Sequence, residues 1–169
     1  NAMRHAWSGY RTYAWGRDEL KPQSKVGADP WGGIGCTLVD ALDTLWLMGL
    51  KTEFDEAARW AKEKLTFAHA GTVSTFETTI RELGGLLAAH DLSGDSGLLA
   101  RAEEIGSKLV RAFDGGAMPS GQVDLRSGRG GAHGWSGGSA VLAEVGTLQV
   151  EFRYLAAKTG KAEYAAKAN

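Results

Sequence analysis

The sequence predicts an all-α fold built from repeated pairs of helices. Apolar residues recur at three- and four-residue spacings through most of the chain, which is the period of an amphipathic helix. Three of these apolar stretches end at a glycine, namely Gly49, Gly94 and Gly160, and each is followed by a second apolar stretch. The alternation that marks a strand is nearly absent. These observations favour αα-hairpins, which stack into a solenoid or close into an α/α toroid.

A weak internal repeat aligns the second helices of the three pairs. Counted from each glycine, the fifth position holds Phe54, Leu99 and Ala165, and the eighth position holds an alanine in every copy. A glycine just after a helix supplies the left-handed backbone conformation that ends it. We therefore expect each pair to be a hairpin with a short turn at its glycine.

The segment between the second and third pairs differs from the rest. Met118 to Leu125 is the one stretch that could form a short ribbon, and a glycine-rich loop from Arg126 to Gly138 follows it. No Lys-Ser or Lys-Thr ends that loop, so a phosphate-binding loop is not indicated. The four histidines show no helical i,i+4 pair, so a zinc site is not indicated either.

Composition narrows the class of partner. The chain has 169 residues, which suits one compact domain, and its 19 basic and 20 acidic residues give a formal net charge of -1. This balance favours neither nucleic acid nor an anionic membrane surface, and a neutral ligand such as a sugar fits it better. No apolar run approaches the roughly 18 residues of a membrane span, so no membrane contact is expected. Cys36 is the single cysteine, and we expect it to be a buried, unreactive thiol.

The sequence is interpreted as two parts. Residues 1–5 are assigned to an N-terminal tail, in which Asn1-Ala2-Met3 looks like the remnant of a cleaved expression tag. Residues 6–169 are assigned to one helical unit. The third pair reaches Asn169 in the middle of its second helix. We therefore expect this unit to be the N-terminal part of a longer fold.

The first helix of each pair carries an acid where the pattern calls for an apolar residue. These acids are Asp40, Glu77 and Glu151. Ionised carboxylates are costly to bury unless they are paired or hydrogen-bonded. Three such acids on corresponding helices indicate one shared polar site, although a structural hydrogen-bonding role for Asp40 and Glu151 stays equally open. Glu144 lies seven residues before Glu151 on the same helical face and, followed by Gly146 and Thr147, looks structural.

Glu77 and Arg81 each allow two interpretations. Ser74 and Glu77 fit a capping box, in which the glutamate reaches back to the amide of the N-cap residue. Alternatively, Glu77 lies at the start of a helix that faces a pocket and donates a proton to a sugar's leaving oxygen. Arg81 follows one turn later, so it either supports the helix through an i,i+4 pair or donates hydrogen bonds to sugar hydroxyls.

Four blocks of the sequence, in order, resemble glycoside hydrolase family 47, the class I α-1,2-mannosidases. The resemblance extends over the chain from Ala6 onward. The blocks are Ala14 to Pro22, Thr37 to Trp46, Phe76 to Leu87 and Leu142 to Leu155. Members of this family fold as an (α/α)7 toroid and remove terminal α-1,2-linked mannose from high-mannose N-glycans with inversion, using a bound calcium ion.

The resemblance also implies roles for particular residues. Glu77 would be the general acid, acting directly or through a water, Arg81 would hold the glycan, and Asp40 and Glu151 would line the pocket floor. The partner would be a mannose-containing oligosaccharide or glycoprotein. The family's catalytic base and its calcium-ligating threonine lie in later hairpins. We therefore expect the direct calcium ligands outside this chain, and we expect the isolated 169-residue chain to be inactive.

Two other classes of function stay open. A quality-control relative that binds mannose glycans with little or no hydrolysis would show the same pocket acids. A free-standing hairpin scaffold would expose an apolar face at its open end, which predicts self-association or pairing with further chain. For the compartment, the resemblance implies the secretory pathway (endoplasmic reticulum or Golgi) in a eukaryote, and the periplasm or secretion in a bacterium.

Overall fold

A computed structural model describes residues 2–169, which form ten α-helices, two small sheets and three shorter helical turns. The helices are α1 (Ala2–Tyr13), α2 (Cys36–Asp40), α3 (Leu42–Leu47), α4 (Lys51–Glu63), α5 (Thr75–Thr78), α6 (Gly84–Ser93), α7 (Ser96–Leu109), α8 (Leu142–Val145), α9 (Gln149–Thr159) and α10 (Ala162–Ala168). The strands are β1 (Glu19–Lys21), β2 (Val26–Ala28), β3 (Thr72–Ser74), β4 (Gln122–Asp124) and β5 (Gly130–Gly131). A π turn spans Thr79–Leu83, and 3-10 turns span Val110–Gly115 and Gly134–Ser136.

Three αα-hairpins make up most of the fold. The first runs through α2 and α3 to Gly49 and returns as α4. The second runs through α5 and α6 to Gly94 and returns as α7, and the third joins α9 to α10 at Gly160. The φ values of these glycines are 71°, 74° and 72°, in the left-handed region that other residues adopt only with strain. The predicted hairpins and their glycine turns are confirmed.

The hairpins stack into two layers around one apolar core. In the layer of first helices, α6 packs against both α3 and α9, and in the layer of second helices α4 packs against α7. Close approach requires glycine at one point, because a Cβ on Gly85 would lie 2.9 Å from the carbonyl oxygen of Val39 on α2. Residues of all three hairpins are fully buried in the core, including Leu38, Leu83, Ile105 and Phe152.

The sheets are short and antiparallel. β1 pairs with β2, and β4 lies between β3 and β5. The ribbon predicted within Met118 to Leu125 is present as β4. β3 runs directly into α5, because Ser74 is both the last residue of the strand and the N-cap of the helix. The side-chain hydroxyl of Thr75 also donates to the carbonyl oxygen of Ser120 at 2.7 Å, so the sheet fixes the start of α5.

The stretch assigned to an N-terminal tail begins a helix. Residues 2–5 form the first part of α1, and Trp7 and Tyr10 bury one face of this helix against the core. This stretch is therefore helical. Asn1 lies outside the described residues, and the division of the chain at residue 6 stays a prediction. Within residues 2–169, no helix has both the length and the apolar character that crossing a membrane requires.

Candidate active site

The carboxylate of Glu77 is directed to Arg81. The hydroxyl of Ser74 accepts a hydrogen bond from the Glu77 amide at 3.2 Å, so the serine half of a capping box is present. Oε2 of Glu77, however, accepts from Nε of Arg81 at 2.8 Å. About a quarter of the Glu77 side chain is exposed. Capping thus explains Ser74 but leaves the Glu77 carboxylate at the protein surface, paired with a guanidinium.

Arg81 joins two of the predicted acids. Its Nη1 donates to Oδ2 of Asp40 at 3.0 Å while its Nε donates to Glu77, so one guanidinium links the α2 and α5 helices. The hydrogen bond with Glu77, together with that to Asp40, raises the pKa of Arg81 against the opposing effect of desolvation. The guanidinium also lies 5.6 Å from the ring centroid of Trp31. Three of the four predicted site residues are therefore in direct contact.

A π turn carries Arg81. Residues Thr79–Leu83 form this turn between α5 and α6. Such turns are rare and occur often at functional sites, because the extra residue redirects the side chains on either side of it. Here two consecutive residues face different surroundings: Arg81 reaches the surface, whereas Glu82 is 1% exposed.

Glu77 lines a cavity of about 360 Å³ beside the three-stranded sheet. The other walls come from the loop before α2, from β3 and the start of β4, from the segment between β5 and α8, and from α8 itself. The lining residues are Pro30, Trp31, Thr72, Val73, Ser74, Glu77, Gln122, His133, Trp135 and Glu144. This volume suits a small polar ligand. A larger cavity of about 620 Å³, between α1 and the β1–β2 hairpin, contains none of the predicted site residues.

The wall opposite Glu77 was missed by the sequence analysis. Nε2 of His133 lies 3.0 Å from Oε2 of Glu144, and the His133 ring stacks on Trp135 with centroids 5.2 Å apart. Trp135 is 70% exposed. A flat aromatic face beside carboxylates is the arrangement that packs on the apolar face of a sugar. Glu144 is therefore part of the cavity wall, although the sequence suggested a purely structural role.

A close contact with β4 fixes His133. A Cβ on Gly121 would lie 2.8 Å from Cδ2 of the His133 ring, so the backbone before β4 approaches the imidazole as only glycine allows. His133 and Glu144 are eleven residues apart across a glycine-rich loop. No local periodicity links residues at that spacing, and only the folded loop brings them together.

Glu151 lines a different groove, which shares no lining residue with the cavity at Glu77. This groove, of about 290 Å³, runs between α6 and α9 and is lined by Gly84, Tyr154 and Glu151 among others. Oε2 of Glu151 is buried without a hydrogen-bond partner, and burial raises the pKa of this carboxyl. Within residues 2–169, Arg81 bonds to Glu77 and Asp40 but not to Glu151. The structure thus brings three of the predicted residues into contact, and the roles of all four stay predictions.

Sequence comparisons identify related proteins. The family model described as glycosyl hydrolase family 47 matches residues 2–169. The mannosyl-oligosaccharide 1,2-alpha-mannosidase MNS1 of Arabidopsis thaliana is 46% identical over 168 residues, which are 98% of this chain and 30% of that protein. The endoplasmic reticulum mannosyl-oligosaccharide 1,2-alpha-mannosidase of Rattus norvegicus is 49% identical over 160 residues, which are 94% of this chain and 24% of that protein. The chain therefore spans 24% to 30% of the length of these two curated relatives.

A solved structure has the same fold. The alpha-1,2-mannosidase from Trichoderma reesei superposes with a TM-score of 0.87 at 29% sequence identity, over 99% of this chain and 37% of that one. The hairpins of residues 2–169 are accordingly one arc of an (α/α)7 toroid, as the resemblance implied.

Proposed function

Because the chain belongs to glycosyl hydrolase family 47, we propose that residues 2–169 carry the proton-donating side of an inverting α-1,2-mannosidase. The proposed substrate is a terminal α-1,2-linked mannose of a high-mannose N-glycan, on a free oligosaccharide or a glycoprotein. One observation carries the proposal: Arg81 holds Glu77 and Asp40 together beside a sugar-sized cavity. The names of the Arabidopsis and rat relatives support the same substrate class.

In the proposed reaction, Glu77 is the general acid. Its carboxyl proton passes, directly or through one water, to the glycosidic oxygen as the bond from that oxygen to C1 breaks. A water attacks C1 from the opposite face and loses its proton to a second carboxylate, so the released mannose has the inverted configuration. Arg81 donates hydrogen bonds to sugar hydroxyls, and Asp40 accepts from them.

The remaining residues of the cavity extend this assignment. We place the exposed ring of Trp135 against the apolar face of a sugar, with His133 and Glu144 holding that ring and offering polar atoms beside it. Glu151 would receive hydroxyl groups of the glycan through the groove between α6 and α9. Its orphaned Oε2 supports this role, because a buried carboxylate oxygen without a partner gains most from a hydrogen-bond donor.

The second carboxylate and the metal site are proposed to lie outside residues 2–169. Among the described residues, no group of three or more His, Cys, Asp or Glu side chains is placed to hold a metal ion. Calcium takes six to eight oxygen ligands. The residues described here do not fit a calcium site. We propose that its ligands, like the base, belong to the part of the family fold that this chain does not span.

The name of a relative also bears on the cellular compartment. The name of the rat relative includes the endoplasmic reticulum. We propose that the protein acts in the secretory pathway if it is eukaryotic, and in the periplasm or outside the cell if it is bacterial. Its partner is a mannose-containing glycan or glycoprotein.

Glu77→Gln tests the proposal. We expect the complete product of this gene, given calcium and a high-mannose oligosaccharide, to release mannose with inversion. The variant cannot donate the proton, so kcat should fall by about 10²- to 10⁴-fold while oligosaccharide binding persists. Chromatography of released mannose, NMR of its anomeric configuration and calorimetric titration with the oligosaccharide measure the three quantities.

A matched variant controls for the lost charge. Glu163→Gln removes an exposed carboxylate on α10, outside the cavity, and should leave kcat unchanged. Normal turnover by Glu77→Gln would refute the assigned role. Binding without turnover in the unsubstituted protein would instead identify a mannose-binding quality-control relative.

A further inference from the structure

Glu82 is a buried carboxyl group that the proposed reaction does not use. It lies on the π turn directly after Arg81, and 1% of the residue is exposed. Neither of its carboxyl oxygens has a hydrogen-bond partner. Its neighbour Arg81 uses Nε for Glu77 and Nη1 for Asp40, so that guanidinium serves the surface side of the turn. A buried carboxyl with no partner needs an explanation.

The ionisable groups that face Glu82 add no compensating positive charge. Asp18, in the loop after α1, and Asp40, on α2, both disfavour a negative charge on Glu82. The nearby thiol of Cys36 opposes this only weakly and makes no hydrogen bond with either carboxyl oxygen. Tyr10, on α1, is also close enough for its own ionisation to be disfavoured by Glu82. Within residues 2–169, no Lys, Arg or His forms a hydrogen bond with the Glu82 carboxyl.

Burial and two neighbouring carboxylates act in the same direction. Transfer of a carboxylate from water into such surroundings is strongly unfavourable, whereas the neutral acid loses far less solvation. Desolvation, followed by the charges of Asp18 and Asp40, raises the pKa of Glu82 well above its usual range.

We propose that Glu82 is a positioning residue that stays protonated while the site works, and that its neutral form leaves Arg81 paired with Glu77 and Asp40. An ionised Glu82 would repel Asp40 and offer Arg81 a third carboxylate on the opposite side of the same turn. The guanidinium would then be divided between the core and the surface. Keeping Glu82 neutral avoids this competition.

A pH dependence of stability follows. The pKa of Glu82 is raised in the folded state, so above the unfolded pKa of about 4.3 the folded protein holds a proton that the unfolded chain has released. Stability therefore falls as pH rises from that value to the folded pKa, by up to about tenfold in the folding constant per pH unit. Glu82→Gln keeps the shape of the neutral acid but cannot ionise.

Three measurements on the 169-residue chain test the proposal. Infrared difference spectra of the unsubstituted chain minus Glu82→Gln at pH 7 should show the carbonyl band of a protonated carboxyl. The folding constant of the unsubstituted chain, relative to that of Glu82→Gln, should fall as pH rises. The NMR signal of the Arg81 Nε–H should move as the pH rises through the folded pKa of Glu82 in the unsubstituted chain and stay fixed in Glu82→Gln. Glu63→Gln, an exposed carboxylate on α4, should behave like the unsubstituted chain in all three.

Several results would overturn the proposal. A carboxylate band in place of the carbonyl band would show that Glu82 is ionised. Equal pH slopes, or movement of the Arg81 signal in both proteins at the same pH, would show that Glu82 does not govern the pairing. If Glu82→Gln does not fold, spectra of the unsubstituted chain labelled with ¹³C in its glutamate carboxyls decide between the two forms. The importance of this pairing for glycan binding rests on the proposed function, but none of these measurements requires mannosidase activity.

Discussion

Two carboxyl groups, Asp18 and Glu82, are almost equally buried but differ in their hydrogen bonding. Asp18 is 0% exposed and accepts four backbone N–H groups. Three of these bonds are 2.8 Å long and the fourth is 3.3 Å. Glu82 is 1% exposed and accepts none. Depth alone therefore does not determine what a buried acid does.

The donors around Asp18 come from one short loop. The amides of Trp31, Gly33, Ile34 and Cys36 converge on its two oxygens, which wraps the loop around the carboxylate and delivers α2, with Asp40, to the site. Asp18 is thus a structural anchor. Glu82 meets side chains instead of backbone donors, and its protonation is free to respond to the surroundings. The two buried acids therefore differ in whether backbone N–H groups reach the carboxyl oxygens.

Asp18→Asn should produce the largest effect. An amide retains one acceptor oxygen and places an NH₂ group against two backbone donors, so two buried N–H groups lose their partner. At about 1–3 kcal/mol each, the free energy of unfolding should fall by about 2–6 kcal/mol. Urea denaturation followed by tryptophan fluorescence measures it. A loss below 1 kcal/mol would mean that the loop does not depend on these bonds.

Cys36→Ala should lower the free energy of unfolding by less than Asp18→Asn does. It changes the surroundings of Glu82 while the backbone hydrogen bonds of Asp18 stay in place. The substitution keeps the backbone N–H that binds Asp18 and removes the thiol that favours ionised Glu82. The pKa of Glu82 should therefore rise further, and the fall of stability with pH should extend to higher pH. The loss of a small buried group should cost about 1 kcal/mol at pH 5. Denaturation at several pH values measures both, and an unchanged pH profile would argue against contact between the thiol and Glu82.

Arg81→Lys should change stability least. Glu77 and Asp40 are partly exposed, and such pairs contribute about 0–1 kcal/mol. An ammonium group lacks the planar fork that reaches two carboxylates at once. We expect unfolding to change by less than about 0.5 kcal/mol, while oligosaccharide affinity falls by about tenfold or more with the lost charged hydrogen bonds. Denaturation measures the change in stability, and calorimetric titration measures the change in oligosaccharide affinity. A large loss of stability with normal affinity would mean that Arg81 supports the fold and does not bind the glycan.

The hairpins were predictable because local rules determine them. Helical periodicity and the glycines at positions 49, 94 and 160 are properties of short segments, and the i,i+4 spacing of Glu77 and Arg81 sets their contact directly. Asp40 was placed in the same site because an acid interrupted an apolar face. Glu82 is also an acid among apolar residues, but its burial was not predicted. A π turn changes which side chains of the helix face the core, and nothing in the sequence of Thr79–Leu83 indicates such a turn.

Other features depend on contacts between distant segments. Strands of two or three residues are too short to show alternation, so β1, β2, β3 and β5 left no pattern in the sequence. The His133–Glu144 pair forms only when a glycine-rich loop folds back to the sheet. Asp18 was noticed only within a family block, because its donors are backbone amides, which every sequence contains.

The direct passage from β3 into α5 has an evolutionary consequence. Glu77 lies three residues beyond a strand whose neighbour, β4, begins next to the backbone beneath His133. The pairing of β3 with β4 therefore sets the position of Glu77 relative to His133. A single-residue insertion before Gln122 would shift this pairing by one residue and misalign the two side chains. An insertion between Leu125 and Arg129, in the turn joining β4 to β5, leaves that alignment intact. Lineages are expected to vary the length of this turn freely while the segment ahead of β4 keeps a constant length.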